Sequence, residues 1–153
     1  MFESDDGTVT DTSAMHEWGR FYIEGGKRLG QTFEILENDL QEKCMEEAGF
    51  VDITTVNKKV NMSTPVSTIH HLTLRSQVPI GGWPANPRVR EIGLFVLAAL
   101  EKDFEGYVLY MASQLLGWTM QEVTVYCSQL RRELRSRDNH PYFRVRIVYG
   151  RKP

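Results

Sequence analysis

Three groups of residues in this chain carry the chemistry from which sites are built: the acidic residues Asp5, Asp6 and Asp11, the adjacent pair His70-His71, and the glycine pairs Gly25-Gly26 and Gly81-Gly82. A calcium loop needs oxygen ligands at alternating positions closed by a distal glutamate. The three aspartates lack that spacing, so Asp5-Asp6-Gly7-Thr8 reads as a turn. Neighbouring histidines on regular structure point apart, and neither a cysteine nor a third histidine stands near them, so no metal is expected. A phosphate-binding turn places spaced glycines between a strand and a helix, and neither glycine pair has that pattern. What remains is aromatic. Trp18, Phe21 and Tyr22 fall near helical spacing, which suits a core first and a substrate-facing wall second.

Composition narrows the classes further. Of the 153 residues, 41% are hydrophobic and 10% aromatic, enough to bury the core of about one domain. The formal charge is -2, from 18 basic and 20 acidic residues, with no dense run of Lys or Arg. That argues against nucleic acid as the main partner. The longest apolar run, Leu94 to Leu100, is well short of the ~20 residues that cross a bilayer, and no charged-then-apolar leader opens the chain. The expectation is an intracellular protein, cytoplasmic or nuclear, in which Cys44 and Cys127 are reduced and partly buried.

The elements that must position these residues alternate between helix and strand. Residues 1–12 lack apolar periodicity and read as a flexible N-terminal segment. Ser13 caps a helix carrying Trp18, Phe21 and Tyr22, with a break or kink expected at Gly25-Gly26, since each glycine costs about 1 kcal/mol against alanine. An amphipathic helix is expected from Phe33 to Met45, with Asn38 as a cap for its main part, Gly49 as its left-handed stop and a β-branched strand from Val51 to Val56 after it. Val89 to Leu100 reads as a buried helix with Pro87 in its first turn. A second amphipathic helix runs from Tyr107 to Leu116 and ends at Gly117. Thr119 and Glu122 form a capping box opening a helix through Leu134, whose terminal arginines complement the helix end. Tyr142 to Tyr149 alternates as a strand with one polar face. Two strands so far apart in sequence are a marginal sheet. The bottom-up reading is the last part of a larger α/β domain.

Several blocks share a further pattern. Glu-Ala-Gly-Phe-Val-Asp at 47–52, Pro-Ile-Gly-Gly-Trp-Pro at 79–84, Glu-Ile-Gly at 91–93, Leu-Gly-Trp-Thr at 116–119 and Val-Tyr-Gly-Arg-Lys-Pro at 148–153 resemble the C-terminal portion of fungal class I SAM-dependent methyltransferases, in the group related to the LaeA secondary-metabolism regulator. The resemblance implies an α/β, Rossmann-like fold with a seven-stranded sheet, of which this chain holds mostly helices plus an antiparallel pair of strands at about 50–59 and 142–149. In the family, the glycine-rich SAM loop, the acidic ribose ligand and the strand with most methyl-transfer contacts lie upstream of the part matched here. The resemblance therefore carries over no catalytic and no cofactor-binding residue, and S-adenosylmethionine is expected to bind the full-length family rather than this chain alone. Trp18, Tyr22 and Trp83 are the expected substrate-binding residues, lining the pocket of a small-molecule or protein methyl acceptor. The alternatives are a non-catalytic interaction module, using unpaired strand edges for a protein partner or self-association, and an inactive truncated gene product.

One departure from the family stands out. Family members pass from the sixth strand directly into Val-Pro-Ile-Gly-x-Trp-Pro, whereas here eighteen residues, Val60 to Gln77, intervene. Codons for Val60, Gln77 and Leu72-Thr73 can supply intron borders and a branch point, so we read 60–77 as an irregular insert derived from a retained intron, and Met1 as an internal methionine of a longer frame. Lengthening a loop costs only about 0.6 kcal/mol per doubling, so the insert is compatible with folding.

Overall fold

Serine and threonine caps, left-handed glycines and β-branched runs set most element boundaries in the computed structural model, which describes residues 1–56 and 77–152. The chain divides into two compact units, one of Met1–Phe33 with Val78–Phe143, the other of Glu34–Gln77 with Arg144–Pro153.

In the first unit, helix α1 spans Ala14–Leu29. Ser13 caps it by accepting a hydrogen bond from the His16 amide at 3.1 Å. Gly30, at φ 68°, closes it in the left-handed conformation. The expected break at Gly25-Gly26 is absent, and the reason is close approach. A Cβ at Gly25 would lie 2.8 Å from Met111 Sδ, and one at Gly26 would lie 2.6 Å from the Phe33 ring. Tertiary contact here outweighs the propensity cost of the glycines.

The first residues also depart from expectation. Phe2–Glu3 form strand β1, antiparallel to a strand at Tyr142–Arg144, which in turn neighbours Gln77–Pro79 in a three-stranded sheet. Phe2 is buried, stacked on Phe143 at 4.7 Å and edge-on to Trp18 at 5.4 Å. The long helix expected to be buried, α3 in chain order, spans Pro87–Glu101, with Asn86 Oδ1 accepting from the amides of Arg88 and Val89. It buries only Val89, Gly93 and Leu97, leaving Ile92, Leu94 and Phe95 exposed. Helix α4, Phe104–Leu109, continues as a π-helical segment, Tyr110–Leu115, before Gly117 turns the chain at φ 81°. The wider π turn brings Met111 and Leu115 against Gly25 of α1. Helix α5, Met120–Arg135, opens with the expected capping box, both Thr119–Glu122 bonds being present. Phe21, Phe104, Val108, Val123, Cys127 and Leu130 form the centre of the core. Burial pushes the Cys127 thiol up to about 11.

In the second unit, helix α2 covers only Leu40–Glu47 rather than starting near Phe33. Asp39 precedes it at φ 52° with no side-chain cap, so the residues before it form turns instead of a helix. Arg144 and Arg146 hold Glu37 and Asp39 in ion pairs, which fixes that bend. Gly49, at φ 80°, ends α2 as expected, and the Phe50 amide reaches back to Met45 O at 3.0 Å. Strand β2, Val51–Val56, pairs antiparallel with Ile147–Arg151, with a bulge between Val51 and Thr54. The antiparallel pair that the resemblance implied is thus present over these described residues. The single strand expected at 142–149 is two, β4 at Tyr142–Arg144 and β5 at Ile147–Arg151, because each serves a different sheet. Counting Gln77–Pro79 as β3, the insert 60–77 lies outside the described residues except for Gln77, which opens that strand, as do His70-His71 and residues 57–59 of the expected first strand. Cys44 is exposed, against the partial burial expected of it. Among its described residues the second unit has none that is fully buried.

Candidate functional site

The Pro-Ile-Gly-Gly-Trp-Pro turn joins β3 to α3, the position where nucleotide-binding folds place a phosphate loop. Several of its polar groups bond within the fold. Pro141 O accepts from the Ile80 amide at 2.9 Å and from Trp83 Nε1 at 3.0 Å. The Gly81 amide donates to Gly93 O at 2.9 Å, and Gly81, at φ +92°, leaves room for no side chain because a Cβ would meet Leu134 O at 2.9 Å. Arg90 Nε donates to Pro84 O at 2.9 Å. The turn therefore fastens β3, α3, the end of α5 and the 140–142 segment to one another. The start of α3 is capped by Asn86. In the turn the Ile80 and Gly81 amides, and at the start of α3 those of Arg88, Val89 and Arg90, are thus bonded within the fold.

The three aromatic candidates separate into two places. Trp18 is buried among Phe2, Phe104, Tyr22 and Tyr107, with ring centroids 5.4–6.2 Å away. Tyr22 is half-buried, packs on Phe33 at 5.6 Å and donates its hydroxyl to Tyr107 O at 2.8 Å. Trp18 and Tyr22 thus share one cluster. Trp83 belongs to another, with its ring 5.1 Å from that of His140.

Around His140 the N-terminal segment is fastened by polar contacts. Asp6 pairs with the His140 ring, the His140 amide donates to Thr8 Oγ1 at 3.0 Å, and the Tyr142 hydroxyl donates to Asp5 at 2.9 Å. The bond to His140, with those to Thr8, holds the Asp6 carboxyl down at about 2 against an ordinary value of 3.8. A carboxylate depressed in the folded state contributes stability that is present above its unfolded value and lost as pH falls through the folded one. Trp83 fluorescence should accordingly change between about pH 4 and pH 2. Asp6→Asn should remove that step, and a step of unchanged size would show that Asp6 does not control it.

Sequence reasoning missed a cleft of about 620 Å³ between the first turns of α1 and α5, lined by Asp11, Glu17, Arg20, Trp118, Gln121 and Val125 among others. No local motif signals it, since it forms only when two helices a hundred residues apart lie side by side. What holds them there is Glu133, whose carboxylate accepts from the amides of Ala14 at 3.0 Å and Met15 at 3.1 Å, capping α1 from α5. Tyr126 adds a buried hydroxyl bond to Ala14 O at 2.9 Å. Glu133→Ala is expected to lower stability by about 1–2 kcal/mol, the usual cost of losing a helix cap, read as a drop in the unfolding midpoint with Arg132→Ala as the neutral control. An unchanged midpoint would refute the capping role.

None of the three aromatic candidates lines this cleft. Among the described residues no three His, Cys, Asp or Glu side chains converge to hold a metal, and no helix is long and apolar enough to cross a membrane.

Comparison with known proteins supplies what the local geometry does not. The probable methyltransferase tdiE of Emericella nidulans is 29% identical over 151 residues, covering 98% of this chain and 41% of the relative. The methyltransferase pytC of Aspergillus terreus is 28% identical over 150 residues, with 98% and 40% covered. The secondary metabolism regulator laeA of Gibberella zeae is 23% identical over 149 residues, with 97% and 41% covered. No protein-family model matches the chain, and no solved structure matches it significantly. The chain spans about two fifths of the length of these curated relatives. Nearly the whole of this chain is therefore similar to part of fungal methyltransferases related to the LaeA regulator.

Proposed function

We propose that this chain is the C-terminal, acceptor-side part of a SAM-dependent methyltransferase, with the cofactor site on polypeptide that the chain does not contain. The observation that carries this reading is the similarity over 98% of the chain but 41% of the relative, joined to a strand-to-helix turn whose Ile80 and Gly81 amides are bonded internally. In such an enzyme the cofactor supplies the activated methyl group. The protein's part is to hold the acceptor in line with it and exclude water, an effect of positioning and electrostatics. In our reading the Tyr22 edge, backed by Trp18, and the half-buried Trp83 ring face the acceptor, a small molecule or a protein. The chain alone is then inactive.

Calorimetric titration with S-adenosylmethionine tests this. The expected result is no saturable binding by the isolated chain under conditions where the full-length Emericella nidulans relative binds. Saturable binding by the isolated chain would overturn the placement of the cofactor site. One observation favours the second reading, an interaction module: the outer face of α3 is apolar and exposed.

A further inference from the structure

Helix α3 buries one narrow stripe, Val89, Gly93 and Leu97, and leaves Ile92, Leu94, Phe95, Ala98 and Ala99 exposed, with Phe95 at 75%. From Ile92 to Leu100 the helix contains no polar side chain. A helix that is apolar all round is a buried helix, and proteins that act alone rarely leave such a contiguous patch bare. Exposed Arg88, Glu91 and Lys102 stand at the ends of the patch, a charged rim around an apolar centre as in protein interfaces. The second unit, independently, has no fully buried residue among those described. Among the described residues, then, the outer face of α3 is an exposed apolar surface. About three fifths of the matched relatives' length is unmatched, 59% of the Emericella nidulans protein lying outside the 41% that aligns. The unmatched remainder is the larger part of each relative, which favours it over a second copy of this chain as the occupant.

We propose that the outer face of α3, centred on Phe95, is the docking surface for polypeptide corresponding to that unmatched remainder. The inference rests on the methyltransferase reading and names the surface through which the two parts join. The test uses the isolated chain and a chimera in which the matched stretch of the Emericella nidulans relative is replaced by this chain. Phe95→Cys in a Cys44→Ser background places a thiol at the centre of the patch, since Cys127 is buried. Labelling of the introduced thiol is expected to be fast in the isolated chain and at least about tenfold slower in the chimera, as for any site that reacts only on opening.

Equal rates in the two contexts would overturn the proposal, as would a concentration-dependent dimer of the isolated chain that protects the thiol. Phe95→Glu gives a second readout: it should lower the unfolding midpoint of the chimera and leave that of the isolated chain unchanged or raised. A chimera indifferent to Phe95→Glu, or a parent chimera that does not fold, counts against the proposal. SAM binding by the chimera is measured separately. Binding with an unprotected thiol sinks the docking surface and keeps the methyltransferase reading, and protection without binding does the reverse.

Discussion

Gly93→Ala should unfold the first unit or leave it barely stable. A Cβ at this position would lie 2.2 Å from Gly81 O, with Gly81 C and N at 3.4 and 3.5 Å. The offending atom is backbone, held in place by the Gly81 amide bond to Gly93 O and by the approach of Gly81 to Leu134 O, so no rotamer change can relieve the clash. Overpacking a well-ordered core costs about 1–3 kcal/mol and sometimes more. With rigid backbone on both sides, we expect about 3 kcal/mol or more, which is a large part of the stability of a small domain. Gly82→Ala is the matched control: its Cβ would meet the Leu94 side chain, Cδ2 at 3.3 Å and Cγ at 3.9 Å, which is exposed and movable. Urea unfolding of the two variants should separate them clearly. Equal midpoints would show that the turn does not lock onto α3 as described.

Phe21→Ala is expected to cost about 3–5 kcal/mol, the range for removing a fully buried phenylalanine. Phe21 is 0% exposed and meets Trp118 at 4.8 Å and Tyr126 at 4.9 Å, both edge-to-face. Such aromatic pairs add about 0.5–1.5 kcal/mol beyond area burial, so Phe21→Leu should also be destabilised, though by less. Tyr126, whose phenol burial pushes well above its ordinary ionisation, depends on the same neighbourhood for its bond to Ala14 O. The loss should therefore spread to the α1–α5 contact, seen as quenching or shift of Trp118 emission before global unfolding. A variant within about 1 kcal/mol of the parent, the size of an ordinary surface change, would contradict the core described here.

Much of the fold was legible because its signals are local. Ser13 and the Thr119–Glu122 box cap their helices through bonds to residues three positions away. Gly49 and Gly117 adopt the positive φ that ends a helical segment. The β-branched run at 51–56 does pair antiparallel with the C-terminal strand. What escaped the sequence reading depends on partners far away in the chain. Gly25-Gly26 looked like a break because the Met111 and Phe33 contacts that require glycine are invisible locally. Phe2–Glu3 is too short to show alternation and becomes a strand only beside Tyr142–Arg144. Asp39 gives no sign of its left-handed backbone, which shortens α2. The apolar run of α3 was read as buried because nothing in it marks the face that stays exposed.

The site was less legible than the fold, for a related reason. The Pro-Ile-Gly-Gly-Trp-Pro block carried the family resemblance, yet its Ile80 and Gly81 amides and Trp83 indole bond within the fold, a structural part rather than a chemical one. Trp18 and Tyr22 fall together as their helical spacing suggested. The cleft beside Trp118 is built from α1 and α5 and has no contiguous signature.

Sequencing full-length transcripts of this locus tests most directly whether the chain is part of a methyltransferase. The account predicts a reading frame that continues upstream of the Met1 codon into a strand followed by a Gly-x-Gly-x-Gly loop, in messages from which the codons for 60–77 have been spliced. Transcripts that begin at Met1, keep those codons and encode no such loop would contradict it.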